Sequence, residues 1–166
     1  MKRSYVLSLL VCLVSFAASA QTLDWSSIGS AGVIDDSTLG LYSTNGAALT
    51  IKTNAVATVE ARYPVTNTVG TAFDQTPAWT TLSAALVDDG ANGSVTVTLY
   101  EVDKCDGTET QVCQINSSDG TSAVECETCT FSSSTFDFAN NAYYIEVSLT
   151  RSTSTPTEAL YQLALY

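Results

Sequence analysis

Alternation of apolar and polar residues at period two constrains this chain more than any other feature. It is clearest from Ser94 to Asp103, S-V-T-V-T-L-Y-E-V-D. Val95, Val97 and Leu99 fall on one face, and Thr96, Thr98 and Tyr100 on the other. β-Branched and aromatic residues in that pattern suit a pleated strand with one buried side. Ala142 to Arg151 repeats it, with Tyr143, Ile145, Val147 and Leu149 opposed to Tyr144, Glu146, Ser148 and Thr150.

Weaker versions recur along the chain. Leu49 and Ile51 alternate with Thr50 and Lys52. Val59, Ala61 and Tyr63 share a face in a strand that starts near Val56 and that Pro64 should end. Leu82, Ala84 and Leu86 share another. Residues 108–117 and 122–131 are further candidates. From Leu160 to Tyr166, Tyr161, Leu163 and Leu165 are expected to point inward. Turn signals punctuate these runs: Asn45-Gly46 as a two-residue connection, Asp88 to Gly93, Asp106-Gly107 and Asp119-Gly120. No segment sustains a helical period. About nine or ten short strands between turns predict an all-β fold. The expected form is a two-sheet antiparallel β-sandwich with jelly-roll connections. The pattern does not dictate strand order.

The first 20 residues stand apart. Lys2 and Arg3 precede an apolar run from Tyr5 to Phe16, and Ala18-Ser19-Ala20 has the form of a cleavage site. These are the three regions of a secretory signal peptide, in order. Residues 21–166 are then expected to form a single domain, secreted or extracellular, in the periplasm or at a cell surface. Removing the leader takes the net charge from −11 to −13, because Lys2 and Arg3 go with it. So acidic a surface disfavours nucleic-acid phosphates and anionic membranes. No later run is long enough for a membrane-spanning helix.

An exported chain with four cysteines, Cys105, Cys113, Cys126 and Cys129, predicts two disulfides. A two-residue turn at Asp119-Gly120 would set Cys113 opposite Cys126, leaving Cys105 for Cys129. The local alternative joins Cys105 to Cys113 and Cys126 to Cys129. Zinc is disfavoured, since a second C-x-x-C and any histidine are missing.

The chemistry is bounded mainly by what the chain lacks. Without histidine, Ser-His-Asp and Cys-His catalysis are excluded in their usual forms. No phosphate-binding glycine loop or nucleophile-elbow motif occurs. Paired carboxylates for glycoside hydrolysis would have to come from turns, with Asp35, Asp36, Asp88 and Asp89 as candidates. Asp88, Asp89 and Asn92 offer oxygen ligands in a glycine-containing loop, which suits calcium in a general way; a plain turn competes with that reading. Trp25 and Trp79, with Tyr42 or Tyr63, are candidates for a sugar-stacking platform, against the competing expectation that they pack in the core. The C-terminal L-Y-Q-L-A-L-Y resembles the terminal strands of outer-membrane barrels and of pilus subunits assembled by strand exchange. The polar faces of the other strands oppose a lipid-facing barrel.

The expectation is an exported, non-enzymatic binding or structural module that engages an extracellular protein, a glycan or further copies of itself. A carbohydrate-binding module is the first alternative and a glycoside-active enzyme the second.

Overall fold

The computed structural model describes residues 23–69, 76–88, 90–118, 120, 123–155 and 157–166. The signal-peptide reading lies outside these residues. The described strands are β1 (Trp25–Ile28), β2 (Val33–Ile34), β3 (Tyr42–Asn45), β4 (Ala48–Ile51), β5 (Thr58–Val65), β6 (Thr81–Val87), β7 (Gly93–Asp103), β8 (Glu109–Ser117), β9 (Glu125–Thr130), β10 (Asn141–Arg151) and β11 (Ala159–Leu165).

They form two antiparallel sheets packed as a sandwich. One runs β3-β4-β11-β6-β9, with β1 also on β11; the other runs β2-β5-β10-β7-β8. Number β4 to β11 as eight successive strands. The first, eighth, third and sixth then lie side by side in one sheet, and the second, seventh, fourth and fifth in the other. That is the jelly-roll order. β1, β2 and β3 extend this frame at its margins.

The alternating residues fill the space between the sheets. Val95, Val97 and Leu99 from β7 meet Ile145, Val147 and Leu149 from β10 in direct register, and all six are fully buried. Leu82, Ala84 and Leu86 of β6 and Leu160, Leu163 and Leu165 of β11 close the core from the opposite sheet. Each buried Val, Leu or Ile side chain contributes about 1.5–3 kcal/mol relative to exposure.

Three local expectations change. A register shift between Leu160 and Gln162 turns Leu160 inward and leaves Tyr161 exposed. The irregularity falls where β4, paired at Ala159 and Leu160, gives way to β1, paired from Gln162 onward. Asn45 pairs with Ala48, so the β3–β4 connection is Gly46-Ala47 rather than Asn45-Gly46, and Gly46 carries the positive φ of 61°. Pro64 does not end β5. It pairs with Tyr144 on one side, while β2 stops at Arg62 on the other, and an unpaired edge tolerates a residue without an N–H.

The expected pairing of the two strands that flank Asp119-Gly120 is also absent. β8 pairs with β7 in one sheet and β9 with β6 in the other, so the chain crosses between sheets here. This overturns both expected cysteine pairings. The bond joins Cys113 to Cys129, with Cα atoms 6.1 Å apart, and Cys105 and Cys126 are free and exposed. The reason is strand parity. Cys113 lies opposite the buried Leu99 and Cys129 opposite the buried Leu82. Cys126, opposite Ala85, faces outward.

Candidate functional site

The expected aromatic platform does not form. Trp25, Trp79 and Tyr63 are 6%, 0% and 1% exposed, and Tyr42 is half-buried against the core. Their polar atoms tie down the leading segment of the domain. Trp79 Nε1 donates to the Leu23 carbonyl at 3.1 Å, and the Tyr63 hydroxyl donates to the Gly29 carbonyl. Trp79 also packs edge-on to Phe136 at 5.0 Å and to Phe138 at 6.4 Å. A large ring with one polar atom fits a core that offers a nearby backbone acceptor.

The calcium candidates are engaged elsewhere or lie outside the described residues, as Asp89 does. Asp88 is buried, and its carboxylate accepts from the Ser117 hydroxyl and from the Gly90 and Gly120 N–H groups, at 2.8 and 3.0 Å for the latter two. Asn92 is engaged through its backbone, whose carbonyl oxygen accepts from both the Ser152 N–H and its hydroxyl. Among the described residues, no group of three or more cysteine, aspartate or glutamate side chains is arranged to hold a metal.

Asp88 belongs to a buried polar layer at one end of the sandwich. Arg151 continues the inward parity of β10 and meets Glu158 at 2.8 Å, with side chains 5% and 0% exposed. Arg151 Nη1 also donates to the Lys52 carbonyl at 3.2 Å. Glu158 Oε1 is buried without a hydrogen-bond partner among the described residues, beside Gly93, where any Cβ would lie 1.7 Å from it. This layer lies inside the fold and ties its two sheets together.

The chemistry-bearing surface is the outer face of β2-β5-β10-β7-β8. Register brings its polar residues into rows that cross the strands. Arg62, Glu146, Thr98 and Gln114 form one row; Pro64, Tyr144, Tyr100 and Gln111 form the next. A third row places Glu60, Ser148, Thr96 and Asn116 side by side.

Tyr100 and Tyr144 stack with centroids 5.1 Å apart and planes 22° from parallel. The Arg62 guanidinium lies 5.7 Å from the Tyr144 centroid and is held by Glu146 at 3.0 Å. Burial, then Glu109 and Glu146, push the Tyr144 phenol up to about 12, so it stays a neutral donor toward Glu109. Beside the rings, Gln114 Nε2 donates to Thr98 Oγ1 at 2.9 Å and Asn116 Nδ2 donates to Gln114 Oε1 at 3.0 Å. Thr96 Oγ1 donates to Asn116 Oδ1 at 3.3 Å. Each carboxamide has two N–H donors and two lone pairs, so both keep capacity for a ligand while holding each other in place.

At the β2 margin a cleft of about 230 Å³ opens between Val33, Asp35, Asp36, Glu60 and Arg62. Two of the predicted carboxylates therefore do line this surface. Asp35, however, is committed to Ser37, whose hydroxyl and N–H donate to it at 2.6 and 2.9 Å and lower its pKa.

Period-two alternation puts Tyr100 and Tyr144 on the polar faces of the two clearest strands, whereas the tryptophans expected to form the platform are buried. The missing signal was the pairing of β7 with β10, which sets Val97 against Val147 and so Tyr100 against Tyr144.

The fold is thus a jelly-roll β-sandwich with a polar-aromatic outer sheet face. No protein-family model matches the chain, and no curated protein is significantly similar to it. Solved structures with a similar course include a CBM36 carbohydrate-binding module in complex with calcium and xylotriose. It shares 14% identity at a TM-score of 0.44, over 86% of this chain and 99% of that one. A family 11 carbohydrate-binding module from Clostridium thermocellum, with a mixed-linked tetrasaccharide, shares 11% identity at a TM-score of 0.44, over 90% and 91%. A CBM61 structure with β-1,4-galactotriose shares 11% identity at a TM-score of 0.41, over 85% and 86%.

Proposed function

We propose that this protein is an exported, non-catalytic module that binds glycan on the outer face of β2-β5-β10-β7-β8. The observation that carries the reading is the stacked Tyr100–Tyr144 pair beside Thr96, Gln114 and Asn116, with the buried Thr98 holding the Gln114 carboxamide in place. A pyranose ring has an apolar C–H face and a rim of hydroxyls that both donate and accept. An aromatic ring beside fixed carboxamides and hydroxyls complements both. Groups already ordered by one another lose little freedom on binding.

A protein partner is less well served by this face. Its contact core would need exposed apolar bulk. Of the exposed large hydrophobic side chains among the described residues, only Val33 belongs to a strand of this sheet. Export is supported by the Cys113–Cys129 bond, which suits an oxidising compartment.

The test is a glycan array probed with the mature chain and with a Tyr100→Ala/Tyr144→Ala double variant. Retention of one or more glycans by the wild type and loss by the variant supports the reading. Equal signals from both proteins would move the site elsewhere. Turnover of a retained glycan that Asp36→Asn abolishes would replace binding with catalysis.

A further inference from the structure

We infer that the face selects neutral polysaccharide over acidic polysaccharide, and that Tyr100 is the ring on which a sugar stacks; this rests on the glycan-binding reading above. The first half follows from the fate of the cations. Outside the leader the chain has four: Lys52, Arg62, Lys104 and Arg151. Each has an acceptor within the protein. Lys52 Nζ donates to the Gly40 carbonyl at 2.9 Å, and Lys104 Nζ to the Phe138 carbonyl at 2.6 Å. Arg62 is paired with Glu146 and Arg151 with the buried Glu158.

Only Arg62 stands on the binding face, among Asp35, Asp36, Glu60 and Glu146. A uronate or sulfate there would meet net negative charge and would have to displace Glu146 from its partner. Like charges at that range disfavour binding. Neutral hydroxyls meet no such cost, and the amide ladder supplies their donors and acceptors.

The second half follows from the order of the stack. Arg62 covers one face of Tyr144, and Tyr144 covers one face of Tyr100. The series ends at Tyr100, which has no further ring or cation partner among the described residues. Its second face lies on the side of β8, where Gln111 stands in its own row and Gln114 in the next. Tyr100 thus has an aromatic face beside the carboxamides, whereas Tyr144 is occupied on one side by Arg62 and on the other by Tyr100. Tyr144 and Arg62 position the ring; Tyr100 meets the ligand.

Affinity electrophoresis of the mature chain through gels containing xyloglucan, galactomannan, mixed-linked β-glucan, polygalacturonate or alginate separates the outcomes. At least one neutral polymer should retard the protein and the two acidic ones should not. Raising the salt from low to physiological strength should leave the neutral retardation unchanged. Tyr100→Ala should weaken it about tenfold, the scale of one lost stacking contact, while Tyr100→Phe should retain it. Tyr100→Leu keeps apolar volume on the face without a π surface, and its loss of binding with an unchanged circular dichroism spectrum would exclude a folding defect. Retardation by polygalacturonate or alginate equal to that by the neutral polymers would overturn the selectivity and leave glycan binding standing. Full binding by Tyr100→Leu would overturn the stacking assignment alone. Retardation by none of the polymers would sink the glycan reading itself, and this inference with it.

Discussion

Single residues set the sharpest constraints. The Arg151–Glu158 pair is desolvated at the end of the core, and Glu158 Oε1 has no donor of its own among the described residues. Removing one partner strands the other charge in a dry site. Arg151→Met should therefore cost about 3–5 kcal/mol, seen as an earlier midpoint in urea unfolding. Replacing the pair together with Met and Leu should recover much of that loss, because the apolar pair has no charge to desolvate. Asp137 behaves differently, since it is only half-buried. The Asn140 side chain first, and then the Asn140 and Ala139 N–H groups, hold its pKa below 3.8. A depressed carboxylate adds stability that is complete above its unfolded value and is lost as pH falls through the folded one. A carbon-detected titration of the Asp137 carboxyl should show a midpoint below 3.8; a higher midpoint would mean that the turn at 137–140 is not closed by this side chain.

At the level of elements, close approach decides which glycines matter. A Cβ at Gly29 would lie 1.9 Å from the Leu160 carbonyl oxygen, which is backbone and cannot swing aside. The short turn at Gly29–Ala31 passes over β11 where its register shifts. Gly29→Ala should force the two apart and destabilise the fold by about 1–3 kcal/mol, the usual scale of overpacking. Gly40 meets nothing within 4 Å and has no positive φ, so Gly40→Ala should leave the melting temperature unchanged or slightly raised. Thermal melts of the two variants side by side check both expectations. If Gly29→Ala melted with the wild type, the contact between this turn and β11 would not hold.

For the whole molecule, the disulfide is the link between sheet edges. β8 and β9 are the last strands of their respective sheets, and Cys113–Cys129 staples them across the sandwich. Closing a loop with a sequence separation of 16 contributes about 3 kcal/mol on the chain-entropy argument. Reduction should lower the melting temperature of the mature chain accordingly. Iodoacetamide on the native oxidised protein should modify Cys105 and Cys126 alone, with Cys113 and Cys129 reacting only after reduction. Peptide mapping of the alkylated chain reads this directly. A Cys113–Cys126 or Cys105–Cys113 peptide would restore one of the pairings expected from sequence and contradict the crossing of the chain between sheets.

The amino-acid order alone settles local features. Period-two alternation in β7 and β10 places Val95, Val97 and Leu99 inside and Thr96 and Tyr100 outside in any antiparallel sandwich, because side chains alternate about a strand. The turn glycines, the acidic surface and the absence of histidine chemistry are equally independent of the partners each strand finds. Register and sheet membership are not. Cys113 meets Cys129 only because β8 and β9 fall in different sheets. Tyr161 turns outward only because β11 must serve both β4 and β1 along one edge. Trp25, Trp79 and Tyr63 are equally suited by composition to a surface or a core, and packing against opposing strands buried them. The candidate site depends on the same kind of decision: Tyr100 and Tyr144 are 44 positions apart in the chain, and only the pairing of β7 with β10 stacks them. Strand pairing is chosen by the burial of whole faces against each other, a sum over many distant residues that no local window of the chain contains.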